Sequence, residues 1–154
     1  MSFRILGLAP DLFRGYFAMS DAELAAVGAL RRIADDPGWP CRVSLAHAAV
    51  GEEVLLLNYE HQPGATPYRS RHAIYVRRSA ERPYDAVDAV PEVLRTRLLS
   101  VRAFDAGHMM IDADVVEGAQ VEALFERLLA DPAASYLQVH NARRGCYAAR
   151  VERA

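Results

Sequence analysis

The sequence contains no lysine, because all 18 of its basic residues are arginine. Lysine supplies the amine of Schiff-base enzymes, the anchor of pyridoxal phosphate and the phosphate-binding side chain of P-loop proteins. The chain therefore cannot use these three chemistries. Glycine-rich phosphate loops of the GxGxxG type and the GxSxG sequence of serine hydrolases are also absent.

Cysteine is scarce, with only Cys41 and Cys146 in 154 residues. Two separated cysteines form no CxxC pair, which excludes a zinc ribbon and a thioredoxin-type motif, and we expect both thiols to be reduced. The five histidines show neither helical i, i+4 spacing nor the HExxH pattern. Strand alternation could align His108 with Asp112 and Asp114, but an exposed strand face explains that pattern more simply. We predict no metal and no cofactor.

Long apolar runs are also missing, since no segment approaches the roughly 18 residues of a membrane span. The amino-terminal residues lack the basic and apolar segments of a secretory signal. A net charge of -2 disfavours a nucleic-acid binder, and 52% hydrophobic with 25% charged residues is typical of globular proteins. We expect one cytoplasmic domain over residues 1–154, with neither nucleic acid nor membrane as a partner.

Hydrophobic periodicity predicts two main helices. The first begins at Ser20, an N-cap residue with Glu23 three positions later as a capping box. Its apolar spacing continues through Ile33, and Pro37 ends it. The second runs over residues 118–130, where apolar residues recur at i, i+3, i+4 and i+7.

Apolar alternation and short apolar runs predict most of the rest of the chain as strands. The predicted strands are residues 3–8, 41–45, 53–59, 72–78, 98–105, 108–116, 136–140 and 146–152. Because these strands cluster instead of alternating with helices, we predict an α+β fold in which two helices cover one face of an antiparallel or mixed sheet. A partly closed barrel is the alternative.

The last two strands are predicted to form a β-hairpin. If residues 141–145 form its loop, His140 and Cys146 face each other with their Cβ atoms about 5 Å apart. A protonated imidazole there would activate the thiol as a nucleophile, and Asn141 would orient the reaction. A four-residue loop would instead place Tyr147 opposite His140 and separate the pair. A buried, structural cysteine is the other interpretation.

A second group of candidate residues follows the most hydrophobic strand. His61 and Gln62 leave its end and enter a loop that continues to Tyr68 and Arg69, and such loops often present ligand-binding side chains. Together with Asn141, these residues predict a site for a small polar or anionic ligand. Ordinary turn and surface chemistry is the alternative.

The segment 69–82 carries five arginines and one acidic residue, Glu81. With Tyr68 and Tyr75 it would form a pocket for a phosphate or a carboxylate. Charge on an exposed strand also prevents unwanted strand pairing, and that role is the alternative.

Several longer segments are similar to a bacterial family known as domain of unknown function 1203. They are PCRVSL (40–45), GEEVLLL (51–57), YEHQP (59–63), PYR (67–69), LLSVRAFD (98–105), VHNAR (139–143) and GCYA (145–148). The similarity extends over nearly the whole chain. It implies no catalytic residue, cofactor or substrate.

The sequence thus leaves three functions open. The leading hypothesis is a domain that binds a small polar or anionic ligand. The second is a small enzyme with Cys146 as nucleophile and His140 as base. The third is a protein-interaction module that assembles through an exposed strand, for example as a homodimer.

Overall fold

The computed structural model describes all 154 residues and contains nine strands and four α-helices. The strands are β1 (Phe3–Leu6), β2 (Leu30–Ile33), β3 (Glu53–Gln62), β4 (Ser70–Arg77), β5 (Asp85–Val87), β6 (Leu98–Phe104), β7 (Met110–Glu117), β8 (Tyr136–Asn141) and β9 (Tyr147–Arg153). The helices are α1 (Arg14–Phe17), α2 (Asp21–Ala26), α3 (Glu92–Arg95) and α4 (Val121–Leu129). None of them is long and apolar enough to cross a membrane.

The strands form two separate antiparallel sheets. The larger sheet has the order β5-β1-β9-β8-β6-β7, and the smaller has the order β2-β3-β4. The predicted α+β fold is confirmed. Neither sheet closes into a barrel, and the two main helices do not share one face, since α4 packs on the larger sheet and α2 contacts β2 of the smaller one.

The main core lies between α4 and one face of the larger sheet. The helix buries five residues at helical spacing, which are Val121, Leu124, Phe125, Leu128 and Leu129. They pack in one cluster with alternate residues of the strands, including Leu99, Val101, Ala103, Leu137 and Val139. Because successive strand residues point to opposite faces, the intervening residues of β6 and β8 lie on the other face of the sheet.

A second core lies on the smaller sheet, where Leu24 of α2 packs with apolar residues of β3 and β4. The predicted start of α2 is confirmed. The Ser20 hydroxyl accepts a hydrogen bond from the Glu23 amide, and the Glu23 carboxylate accepts one from the Ser20 amide. This capping box satisfies two backbone donors that a helix start otherwise leaves open.

The first main helix is shorter than the sequence predicts. It ends at Ala26, Gly28 takes a φ of 73°, and residues 30–33 form β2 instead of more helix. A glycine in the left-handed region terminates the helix, and pairing with β3 then satisfies the backbone of the following segment. Leu30 and Ile33 share the helical spacing of Leu24, but they are 44% and 59% exposed.

Residues 41–45 also differ from the prediction, because they form turns and not a strand. Cys41, Val43 and Leu45 are buried as the alternation suggests. However, Leu45 has a φ of 49°, and the segment makes only isolated bridges to other strands. Arg42, between the buried apolar residues, is itself only 2% exposed.

The end of β1 provides a test of close backbone packing. A Cβ added to Gly7 would stand 2.1 Å from the Val43 carbonyl oxygen. We predict that Gly7→Ala lowers the free energy of unfolding by about 1–3 kcal/mol, because the backbone must move to relieve the overlap. Gly15→Ala is the control, since nothing lies within 4 Å of that position in α1 and alanine favours a helix by up to about 1 kcal/mol. Urea unfolding measures both variants, and equal stabilities would contradict the close approach.

Candidate functional site

The face of the larger sheet opposite α4 carries polar side chains at its centre. Two cross-strand pairs of β6 and β8 lie side by side there, Ser100 with His140 and Arg102 with Gln138. His140 is fully buried and Gln138 is 4% exposed. Another element must therefore cover these polar groups.

The covering element is the end of β3, where His61 lies against the polar face. An irregularity in the pairing of β3 with β4 falls between Tyr59 and Gln62, at the position of His61. We use the name histidine seam for the five residues that meet between the two sheets, which are His61, Arg102, Gln138, His140 and Tyr147.

Gln138 joins the two sheets through both ends of its amide. Its Oε1 accepts a hydrogen bond of 2.8 Å from Nδ1 of His61, and its Nε2 donates one of 2.8 Å to the His61 carbonyl. The same Oε1 lies 3.2 Å from Nε2 of His140. Because the amide nitrogen must face a carbonyl, the orientation of Gln138 and the tautomer of His61 follow from this arrangement.

Both ring nitrogens of His140 face hydrogen-bond acceptors. Its Nδ1 lies 3.0 Å from the Gly145 carbonyl, and its Nε2 faces Gln138 Oε1. A neutral imidazole has only one N–H and can satisfy only one of the two. Nevertheless, burial and the charge of Arg102 lower the pKa of His140 to about 3. At neutral pH the ring is therefore neutral, so one of its nitrogens carries no proton and faces an acceptor, while Gln138 Oε1 keeps its hydrogen bond from His61.

His61 is held between two other rings. It stacks on Tyr147 with centroids 5.5 Å apart and meets His140 edge-on at 4.8 Å. Burial lowers the pKa of His61, the hydrogen bond to Gln138 opposes this, and the charge of Arg102 lowers the pKa further. Nε2 of His61 makes no hydrogen bond within the protein.

Arg102 supplies a positive charge that no carboxylate neutralises. Its side chain is partly buried, and its one hydrogen bond is a 3.4 Å contact from Nε to the Ser100 hydroxyl. Burial lowers the pKa of Arg102, but a guanidinium remains protonated in proteins. Its charge reaches His61 and His140, since it lowers the pKa of both.

The other predicted ligand residues of the β3 loop lie near the seam but make different contacts. Gln62 is buried, and its Nε2 donates to the Tyr136 hydroxyl at 2.8 Å. Tyr68 is exposed and meets Phe104 edge-on at 6.5 Å. Arg69 is exposed and forms an ion pair with Glu60.

Asn141 and Cys146 belong to a different cluster. The Asn141 Nδ2 donates to the Cys146 sulfur at 3.3 Å, and Nη2 of Arg42 donates to it at 3.1 Å. His140 makes no hydrogen bond to Cys146, since its two ring nitrogens face other acceptors.

The loop length explains why His140 and Cys146 do not meet. The Asn141 amide donates to the Cys146 carbonyl, so four residues form the turn, with Gly145 at a φ of 76°. His140 consequently pairs with Tyr147. The structure thus has the shorter of the two loops that the sequence allows, and the pair is separated.

No group of three or more His, Cys, Asp and Glu side chains is close enough to hold a metal ion. The alignment of His108 with Asp112 and Asp114 is not found. Both aspartates form ion pairs with Arg127 of α4, whereas His108 precedes β7 at a φ of 65° and contacts the Tyr136 hydroxyl.

A cavity of about 440 Å³ lies elsewhere and has four arginines in its wall, Arg14, Arg77, Arg78 and Arg82. Three of them already pair with carboxylates, namely those of Asp11, Glu52 and Glu53. Glu81 also lines the cavity. Its charges are therefore largely balanced, and β4, which ends at Arg77, is an edge strand.

Residues 38–153 match a protein family of unknown function, DUF1203. The chain belongs to this family. The matched region includes the whole histidine seam and the Cys146 cluster of this DUF1203 domain, whereas α1 and α2 precede it. No curated protein and no solved structure matches the chain.

Sequence reasoning missed several residues of the DUF1203 site, above all Arg102, Gln138 and Arg42. A signal for two of them is present in the sequence. Ser100 and Arg102 in β6, like Gln138 and His140 in β8, are polar residues at alternate positions of strands that are otherwise apolar. Because β6 and β8 are neighbours in the larger sheet, these alternate polar positions form one polar face.

The buried His140 predicts a pH dependence of stability. Its pKa is about 3 in the folded chain, against an ordinary value of 6.5. Between these values the unfolded chain binds a proton that the folded chain does not. The free energy of unfolding should therefore fall as the pH drops below 6.5, by up to about 1.4 kcal/mol per pH unit. His140→Gln should remove this contribution.

Urea unfolding between pH 7 and pH 4.5 measures that difference in slope between wild type and His140→Gln. Proton NMR provides the direct observation, and the His140→Gln spectrum assigns the resonance. The His140 C2 proton should keep its chemical shift from pH 8 to pH 5. A resonance that titrates near pH 6.5 would contradict the burial of a neutral ring.

Proposed function

We propose that this DUF1203 domain binds a small anionic ligand at the histidine seam. The observation that carries the proposal is the partly buried guanidinium of Arg102, which makes no ion pair and lies among neutral histidines. A charge that is removed from water without a partner is destabilising by several kcal/mol. An anion bound beside Arg102 would remove that penalty.

The surrounding groups suit a carboxylate or a phosphate. The planar fork of an arginine presents parallel N–H donors to two oxygens of such a group. The Ser100 hydroxyl lies beside this fork. Nε2 of His61 has no partner in the protein and would donate to the anion once the ring is protonated. Positive charge and donors are thus supplied from both sheets.

Proton uptake would accompany binding. An anion stabilises the protonated form of a nearby histidine and raises its pKa. Protonated His140 would also donate to both of its acceptors, Gly145 and Gln138. Ligand affinity should therefore rise as the pH falls below neutral.

Gln62, Tyr68 and Arg69 would form the rim of this site. Tyr68 contacts Phe104, which follows Arg102 by two residues along β6. Arg69 forms an ion pair with Glu60 at the surface. It would therefore attract an approaching anion electrostatically more than bind it directly. Asn141 is engaged with Cys146, so it has no ligand-binding role in this proposal.

The proposed function predicts a ligand-dependent increase in thermal stability. We expect Tm to rise with at least one of inorganic phosphate, glycerol phosphate, succinate and citrate, and to rise more at pH 6 than at pH 8. Arg102→Gln should weaken binding by on the order of tenfold or more, because it removes a charged hydrogen-bonding partner. Differential scanning fluorimetry and calorimetric titration measure the two effects.

Arg127→Gln is the matched control for Arg102→Gln. Arg127 is an exposed arginine that pairs with Asp112 and Asp114 on the α4 side of the larger sheet, so its loss should leave ligand binding unchanged. No Tm shift at millimolar ligand, or equal shifts in Arg102→Gln and wild type, would refute the proposal. A concentration-dependent dimer in sedimentation without any ligand response would favour the protein-interaction module instead.

A further inference from the structure

Arg42 is the most deeply buried charge in the protein. Its three donor nitrogens each have one partner: Nε donates to the Tyr147 carbonyl at 2.6 Å, Nη1 to the Pro40 carbonyl at 2.6 Å and Nη2 to the Cys146 sulfur at 3.1 Å. No carboxylate pairs with it. Of the three partners, only the sulfur can ionise.

The Cys146 sulfur receives a second donor, the side-chain amide of Asn141 at 3.3 Å. Two N–H groups thus point at one sulfur. Asn141 is 8% exposed, and its Oδ1 has no hydrogen-bond partner. Together with Arg42 it lines a cavity of about 10 Å³, enough for one water molecule.

The wider surroundings of Cys146 are also positive. Arg97 is partly buried and makes no ion pair. Burial lowers the pKa of Arg97, the charge of Cys146 raises it, and the charge of Arg144 lowers it. Arg97 contacts Nε2 of the neighbouring His47 at 3.2 Å. Two arginines, Arg42 and Arg97, thus act on the sulfur, and neither of them has a carboxylate partner.

We infer that Cys146 is a thiolate that neutralises the buried Arg42, and that it is the nucleophilic thiol of this chain and a site of covalent modification by small electrophiles. Because a guanidinium does not release its proton, the neutralising charge must come from its one ionisable partner. Arg42 thus has the activating role that the sequence suggests for His140. With an alkyl iodide, the sulfur would form a bond to carbon while iodide leaves with the electron pair of the broken bond.

The chain contains its own comparison, because Cys41 is a second buried cysteine without a charged donor. Its sulfur accepts only from the backbone amides of Val43 and Arg77, at 3.4 and 3.3 Å. Cys41→Ser leaves Cys146 as the only thiol, and Cys146→Ser leaves Cys41. Each variant isolates one of the two environments in the folded chain.

The first measurement is the ultraviolet absorption of thiolates. At pH 7 the folded Cys41→Ser protein should show one thiolate per chain, and the folded Cys146→Ser protein should show none. Arg42→Lys, which keeps a positive charge, should retain the band, and Arg42→Met should lose it. If neither Arg42 variant folds, the two cysteine variants still decide the question.

The second measurement is the rate of alkylation by iodoacetamide, followed by mass spectrometry. At pH values below its reference pKa of ~8.5, an ordinary thiol reacts about tenfold more slowly for each unit by which the pH is lowered, because the thiolate fraction falls. The rate at Cys146 should instead be nearly constant between pH 6 and pH 8. Exposure scales the rate equally at each pH, so the different burial of the two cysteines does not affect the comparison.

The inference would be overturned if Cys41→Ser showed no thiolate band at pH 7 and an alkylation rate that rises tenfold per pH unit. Cys146 would then be a neutral thiol, and the two carbonyl groups alone would hold Arg42. Neither measurement involves a ligand, so this result is independent of the function proposed for the histidine seam.

Discussion

The amide of Gln138 is the interaction on which the arrangement of polar groups depends. It is nearly inaccessible to water, and His61 uses both of its ends. A side chain that lacked either end would leave a buried donor or acceptor without a hydrogen-bond partner, which lowers the free energy of unfolding by about 1–3 kcal/mol. Without this link, His61 would be an ordinary polar residue at a strand exit. With it, His61 lies beside His140 and within reach of the charge of Arg102.

The arginines of this chain fall into two groups that have different partners. Those on the smaller sheet pair with carboxylates, as Arg77 does with Glu52 and Arg78 with Glu53. Those between the sheets, Arg42 and Arg102, have none. The second group uses carbonyl, hydroxyl and thiol partners, which a planar guanidinium with five N–H donors can engage in several directions. Two arginines that are buried or partly buried without a carboxylate partner thus lie where the two sheets meet.

The sequence pattern predicted the elements whose burial is set locally. The helical spacing of residues 118–130 and the long apolar run of β3 gave the right element types. Prediction failed where a distant strand decided the outcome. Residues 30–33 have helical spacing but pair with β3 after the break at Gly28.

The site was less predictable than the fold, because one residue in a loop changes which side chains face each other. His140 and Cys146 were named from the sequence, and the four-residue turn assigns them to different clusters. Arg102 and Gln138 are polar residues on strands, which normally indicate a face in water. Only the position of β3 over that face, set by contacts distant in sequence, makes them part of a site.

The turn that ends at Gly145 has a consequence for how the two clusters communicate. The Gly145 carbonyl lies 3.0 Å from Nδ1 of His140, and the next residue carries the sulfur. The Tyr147 ring stacks on His61, and its carbonyl accepts from Arg42. Three consecutive residues therefore serve both clusters. If a ligand at the proposed seam site changed the equilibrium for modification of Cys146 through this segment, modification of Cys146 would change the affinity of the seam by the same factor. The proposed ligand site and the proposed nucleophile thus share one hairpin.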